Sequence, residues 1–302
     1  MNAIVTLTKR NMKLFLRDRM AVFFSFMSSI ILVLLYFLFI ARIYTSEMDV
    51  SASGGIALPI GMDMKNFIVY LQMIAGVLVL NSMSLSTGAF STIARDFEQG
   101  RVDSLLLTPV KTHGMITSYF ATGFISSFAL NALTWLASYA IIGVVTGYWL
   151  AAGAFLSVTA ILFAASLISC SIMLLITTLV KSSTAIGVLS GISGTFVGFL
   201  SGIYMPYDQL GETTKAVGSF LPFTHINIWL KQVVLGDAFS QAGIEGEFKA
   251  VLLANHFSAD GVGFCGLDVP LWTTLVFSGV LGLICLVASY VLLRRRIKGK
   301  LK

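Results

Sequence analysis

The chain has 302 residues, 57% of them hydrophobic and 11% charged, with a mean hydropathy of +0.89 and a net charge of +6. Soluble domains carry about 25% charge, so this composition excludes a water-soluble fold of this length. In a soluble chain the positive surplus would suggest nucleic acid; here no nucleic-acid partner is expected, because the cations read as determinants of membrane topology.

Residues 2–19 read as an amphipathic helix: Ile4, Leu7, Met12 and Phe15 recur with a 3.6-residue period, and Lys9, Arg10, Lys13 and Arg17 fall on the opposite arc. Such a helix is expected on the membrane surface, with its cations among anionic headgroups. A plain cytoplasmic helix running into the first span is the alternative. The apolar stretch that follows is longer than the roughly 7–15 residues of a signal peptide and has no nearby cleavage site, so it is read as a retained helix.

A helix needs roughly 20 residues to cross the hydrocarbon. The first span is placed at 21–41, followed by a polar loop over 42–65 with Glu47, Asp49 and Pro59, and the second span at 66–90. Residues 91–111 form a charged connector. Between Lys111 and Asp208 the only charged residue is Lys181, which divides this stretch into 69 and 26 uncharged residues. The longer piece holds a third span at 113–145 and a fourth at 151–180, and the shorter a fifth at 184–203. Gly143, Gly147 and Gly153, with Tyr148 and Trp149 between them, mark an interfacial turn.

Residues 204–269 are the longest polar segment, and the apolar run at Ile228–Leu235, flanked by Lys231 and Asp237, reads as a re-entrant or surface helix. A short helix is expected at 244–254 and the sixth span at 270–293, capped by Asp268 with Pro270 in its first turn. The tail is RRRIKGKLK. The fold class is therefore an all-α polytopic membrane protein with six transmembrane helices and an N-terminal amphipathic interfacial helix. Its parts are that helix (1–20), a six-span domain (21–293) with connector 91–111 and extracellular or re-entrant segment 204–269, and a basic cytoplasmic tail (294–302). The spans are too long, and lack the alternation, for a membrane barrel. With both termini cytoplasmic, 15 of the 20 Lys and Arg lie inside, the positive-inside pattern.

The connector carries Arg95, Asp96, Glu98, Arg101 and Asp103, then Leu105-Leu106-Leu107 and Pro109. One charged face and one apolar face suit docking to a partner protein; a loop that only obeys topology is the alternative. Gly187, Gly191, Gly194, Gly198 and Gly202 stud the fifth span, where small residues allow close helix approach, either to another subunit or within this one. Phe26, with Phe23, Phe24, Phe37 and Phe39, would line an apolar route or face lipid. Asn81 and Asn131 are polar within spans and would face a cavity or bond between helices. His113, His225 and His256 are too dispersed for a metal or catalytic group and are expected in loops or at the interface. Cys170 and Cys285 fall in apolar spans and Cys265 in a polar loop, with neither a disulfide framework nor a CxxC site.

The run DFEQGRVDSLLLTPV resembles the region before the third helix in ABC-2 type permeases, through Glu98, Gly100, Asp103, Leu105, Leu106 and Pro109; Arg101 stands where Thr is usual. SGIYMPYDQL, with Gly202 and Pro206, SFLPFTHINIWLKQVVLGD and the N-terminal FLRDR are similar to the family in the same order. The resemblance implies a permease that pairs with a second permease subunit, as a homodimer or heterodimer, above two cytoplasmic ABC ATPase subunits. It implies that the N-terminal helix and connector contact the ATPase, which makes Arg10, Arg17, Asp96, Glu98, Arg101 and Asp103 the candidate coupling residues. Phe26, Asn81, Gly191, Gly194, Gly198 and Gly202 are the candidates for a translocation path or subunit interface.

No cofactor is expected in this chain. Lys111-Thr112 and Lys181-Ser182 are the only Lys-Ser/Thr pairs and neither follows a Gly, so there is no phosphate-cradling loop. ATP and Mg would sit on the partner ATPase. The leading expectation is export of an amphipathic or lipid-like substrate such as a drug, antibiotic or toxin through a bacterial plasma membrane. Polysaccharide or glycolipid export, a sensing or immunity role, and secondary transport stand as alternatives. A membrane enzyme would need paired ionisable groups at matched depth, which the spans lack.

Overall fold

The structure is a computed structural model that describes residues 3–42, 44–45, 60–108, 110–180, 182–204, 210–255, 257, 259 and 271–299. Most of loop 42–65, Pro109, Lys181, Pro206, His256, Cys265, Asp268, Pro270 and the last three residues lie outside it, as does the Phe37 side chain. The described residues form helices joined by turns and short loops, with no strand, and six of the helices are long and apolar enough to cross a membrane. The protein is a multi-pass, all-α membrane protein.

Helix α1 (Ala3–Arg17) ends at Asp18, whose carboxylate accepts the Ala21 N–H and caps α2 (Arg19–Leu35). A π-helical turn, Tyr36–Ile40, extends α2. Helix α3 (Met62–Glu98) has 37 residues, about 55 Å at 1.5 Å per residue, and continues past the expected end of the second span at 90 into the charged connector. It stops because Gly100 takes a left-handed φ of 67°, and the chain restarts as α4 (Arg101–Leu106). Next come α5 (Thr112–Thr146), α6 (Ala152–Leu179) and α7 (Ser183–Leu200). Helices α8 (Glu212–Ser219), α9 (Pro222–Gln241) and α10 (Gly246–Asn255) occupy the long polar segment, and α11 (Leu271–Lys298) closes the chain.

Helix α3 is the axis of the bundle. It packs against α2, α5, α6, α7 and α9 and is buried along most of its length. Its contacts at membrane depth are made by hydroxyls and amides rather than charges. Ser28 meets Ser84 at 3.1 Å, Ser190 donates to the Ser84 carbonyl at 2.7 Å, Ser82 meets Ser169 at 3.0 Å, and Asn131 donates to the Leu78 carbonyl at 2.8 Å. In lipid no hydrophobic force drives helix against helix, so close approach and such bonds hold the spans together.

Helix α9 is inserted among α3, α6 and α11 rather than lying on them. Pro222 starts it where a missing N–H costs nothing. Near its start Thr224 donates to Ser201, at the end of α7, and near its finish Asp237 accepts the Ala151 N–H at the start of α6. The helix thus runs from the level at which α7 stops toward the α5–α6 turn. His225, expected in a loop or at the interface, is buried in α9, its Nε2 at 2.8 Å from the Ser219 carbonyl.

Candidate functional site: the connector end and the grooves above it

The N-terminal helix, the connector and two spans meet at one carboxylate. Asp96 lies in the last turns of α3 and is fully buried. Arg10 of α1 holds it with two bonds of 2.7 and 2.8 Å, the Tyr119 hydroxyl of α5 donates at 2.7 Å, and Arg101 of α4 stands 3.9 Å away. Bidentate guanidinium–carboxylate pairing fixes orientation as well as distance. The Asp96 carboxylate raises the Arg10 guanidinium above its ordinary pKa, against the opposing cost of partial burial.

Three further ties surround this pair. Arg95 binds Asp18 at the α1–α2 junction. Partial burial works to raise the Asp18 carboxyl, but Arg95 and the Ala21 N–H more than offset it and leave it below its ordinary value. Glu98 accepts the Ser183 N–H at 2.9 Å and the Ser183 hydroxyl at 2.5 Å, capping α7 from the end of α3. Arg296 of α11 lies 4.2 Å above the Phe97 ring and donates to the Thr178 carbonyl of α6. Beneath these ties a small apolar cluster of Leu7, Val102 and Met115, with Phe97, Leu105 and Leu106 against it, sets α4 onto α1 and α5.

The six coupling candidates therefore divide. Asp96 and Arg10 pair inside the protein, and Glu98 is used by α7. Arg101 and Asp103 lie on the exposed side of α4, next to Ser104, Thr108 and Leu107, which is 91% exposed. Arg17 is exposed in the last turn of α1. The face of α1 also differs from its expected arc. Leu7, Thr8, Asn11 and Phe15 are buried, and Arg10 turns inward to Asp96, while Lys9, Lys13 and Arg17 stay outside. Tyr119, Asp18 and Ser183 complete the site without having been singled out as coupling residues. The FLRDR run contains Asp18, but nothing local in sequence announces Tyr119 or Ser183.

The path candidates also separate. Gly194 and Gly198 are close approaches within the chain: a Cβ at Gly194 would stand 2.1 Å from the Ser28 hydroxyl, and one at Gly198 2.3 Å from the Tyr204 ring. Gly202, at φ 64°, ends α7 in a left-handed turn. Gly191 instead lines an open groove of about 470 Å3 between α2 and α7, with Phe24, Met27, Val188, Ile192 and Phe196. Phe26 and Asn81 come together on the other side of α2, in a cavity of about 390 Å3 shared with α5. Among the described residues no His, Cys, Asp or Glu cluster could hold a metal ion.

A family model described as ABC-2 type transporter matches residues 2–235, from α1 through the connector and most of α9. No match was found among curated proteins. With six spans, a connector tied to the N-terminal helix, and that match over most of its length, the chain belongs to the ABC-2 type transporter family.

Proposed function

We propose that the chain is the permease subunit of an ATP-driven exporter that moves an amphipathic or lipid-like substrate out of the cell. Two copies, or two related subunits, would pair above two cytoplasmic ABC ATPases that carry ATP and Mg. Both termini and the connector would be cytoplasmic, in keeping with the 15 of 20 Lys and Arg assigned to that side. The outward face of α1, with Lys9, Lys13 and Arg17 beside Val5 and Leu16, would rest among lipid headgroups.

The observation that carries this reading is the Asp96 pairing. A partner pressing on α4 would move Arg101 and Val102, and through Asp96 and Leu7 the load reaches α1 and α3 together. Helix α3 is a continuous lever from that point to Ser84 and Asn81, where α2 and α7 pack on it. ATP-driven closure of the partners would thus change how α2 and α7 sit on α3, biasing which side the path opens to. The bare apolar groove between α2 and α7, with Val188, Ile192 and Phe196 all more than half exposed, supports this face as the one turned to the second permease subunit.

The test is affinity purification of the full chain from its own cell. An ATP-hydrolysing subunit is expected to accompany it and to be lost from Leu107→Asp, with the yield of folded permease unchanged. An ATPase that stays bound to Leu107→Asp would remove α4 as the docking element.

A further inference from the structure

At its connector end the α2–α7 groove opens into a polar cavity of about 400 Å3. Asp18 at the start of α2, Ser91 and Arg95 one turn apart near the end of α3, and Thr184 and Gly187 in the first turns of α7 form its walls. Phe24 and Val188 line both spaces, so the polar mouth and the apolar groove are continuous. A molecule lying along them would need a polar head at the mouth and an apolar body against Met27, Ile192 and Phe196.

At this mouth the acceptors are taken and the donors are open. One Asp18 oxygen accepts the Ala21 N–H and the other binds Arg95. Glu98, at the same helix start, gives both of its oxygens to Ser183. Ser91, by contrast, is 3% exposed and lines the cavity, yet its hydroxyl has no partner among the described residues. A buried polar group in that state calls for a ligand or water. Arg95 spends one N–H on Asp18, which leaves the rest of its guanidinium fork without a partner among the described residues. The Thr184 hydroxyl is open in the same sense. Of the first N–H groups of α7, Ser183 gives its own to Glu98 and Ala185 to Ser182, while that of Thr184 is unclaimed among the described residues. A helix start favours negative charge. Arg17 and Arg19 are exposed on either side of Asp18, so with Arg95 the cations at this rim outnumber Asp18 and Glu98. A cationic head would find no open carboxylate, whereas anionic oxygens would gain charge-assisted bonds.

We propose that this mouth binds the phosphate head of an anionic amphiphile whose chain lies in the α2–α7 groove. Arg95, the Ser91 and Thr184 hydroxyls and the Thr184 N–H converge from two helices, a donor set suited to the several oxygens of a phosphate. Free inorganic phosphate offers the same oxygens but leaves the groove empty, so the lipid form is the one that uses both spaces. The binding is independent of the permease reading and is measured with no ATPase present, so either can fail while the other stands.

The experiment is native mass spectrometry of the full chain in dodecyl maltoside micelles, titrated with dioleoyl phosphatidic acid. Dioleoylglycerol and a trimethylammonium lipid with the same chains serve as neutral and cationic comparisons. Saturable binding of phosphatidic acid is expected, with both comparisons about tenfold weaker or worse, and millimolar inorganic phosphate should not displace it. The Ser91→Ala/Thr184→Val pair should weaken it about tenfold. A Cβ at Gly187 would meet nothing within 4 Å, so Gly187→Leu fills the mouth without forcing the helices apart and should abolish the binding. Gly279→Leu, at an equally open position on α11, should leave it unchanged. Equal binding of dioleoylglycerol, displacement by inorganic phosphate alone, or full binding to the Gly187→Leu protein would each overturn the proposal.

Discussion

The connector end and the middle of helix α3 are held by different chemistry. At the connector end the ties are ionic: Asp96 with Arg10 and Arg101, Arg95 with Asp18, and Glu98 on the start of α7. Two turns and more into the span they become neutral: Ser84 with Ser28 and Ser190, Ser82 with Ser169, Asn81 with Ser29. Charge is affordable only near water, because an ion at membrane depth must be paired or pay for its lost hydration. Hydroxyl pairs cost little to bury and let helices approach closely. The ionic end is thus directional, and the neutral section is a closely packed seam between α3, α2 and α7.

Substitutions should break this contrast unequally. The largest effect is expected at Arg10→Met, which strands the buried Asp96 carboxylate. Destabilisation of about 3 kcal/mol should follow, and adding Asp96→Asn should recover most of it, as read by thermal unfolding in detergent. Gly194→Leu comes next, at about 2 kcal/mol, because the new side chain must displace Ser28 and Ser84. Ser84→Ala, which only removes a seam hydroxyl, should cost about 0.6 kcal/mol.

The smallest effect should come from pH. The Asp18 carboxyl is lowered in the folded protein, so its contribution is full above the unfolded value of about 4 and is lost as pH falls through the folded one. Protection of α1 from proteolysis should hold at neutral pH and weaken only in that acid window. A loss at pH 6 would show that another group holds the α1–α2 junction.

The spans were legible because hydropathy is a local property. Residues 113–145 and 151–180 fall within one or two positions of Thr112–Thr146 and Ala152–Leu179. The far end of α3 was not, because a helix outside lipid needs no hydropathy to continue, and only Gly100 stops it. The coupling candidates are visible in sequence as a charged cluster but not as two sets. Arg10 and Asp96 lie 86 residues apart, and periodicity alone places every cation of α1 on one arc, because it cannot see a partner on another helix. For the same reason the glycine stripe of α7 looked uniform, although Gly194 packs on Ser28, Gly191 opens to a groove and Gly202 makes a turn.

The central claim is that α4 sits in the cytoplasm, where an ATPase can press on it. Leu107→Cys, placed in a chain with Cys265→Ser, puts an exposed thiol on that helix, while Cys170 is buried and Cys285 lies within α11. A membrane-impermeant maleimide applied to intact cells should leave it unlabelled, and should label it fully once the membrane is opened. Labelling in intact cells would put α4 outside, beyond the reach of any intracellular motor.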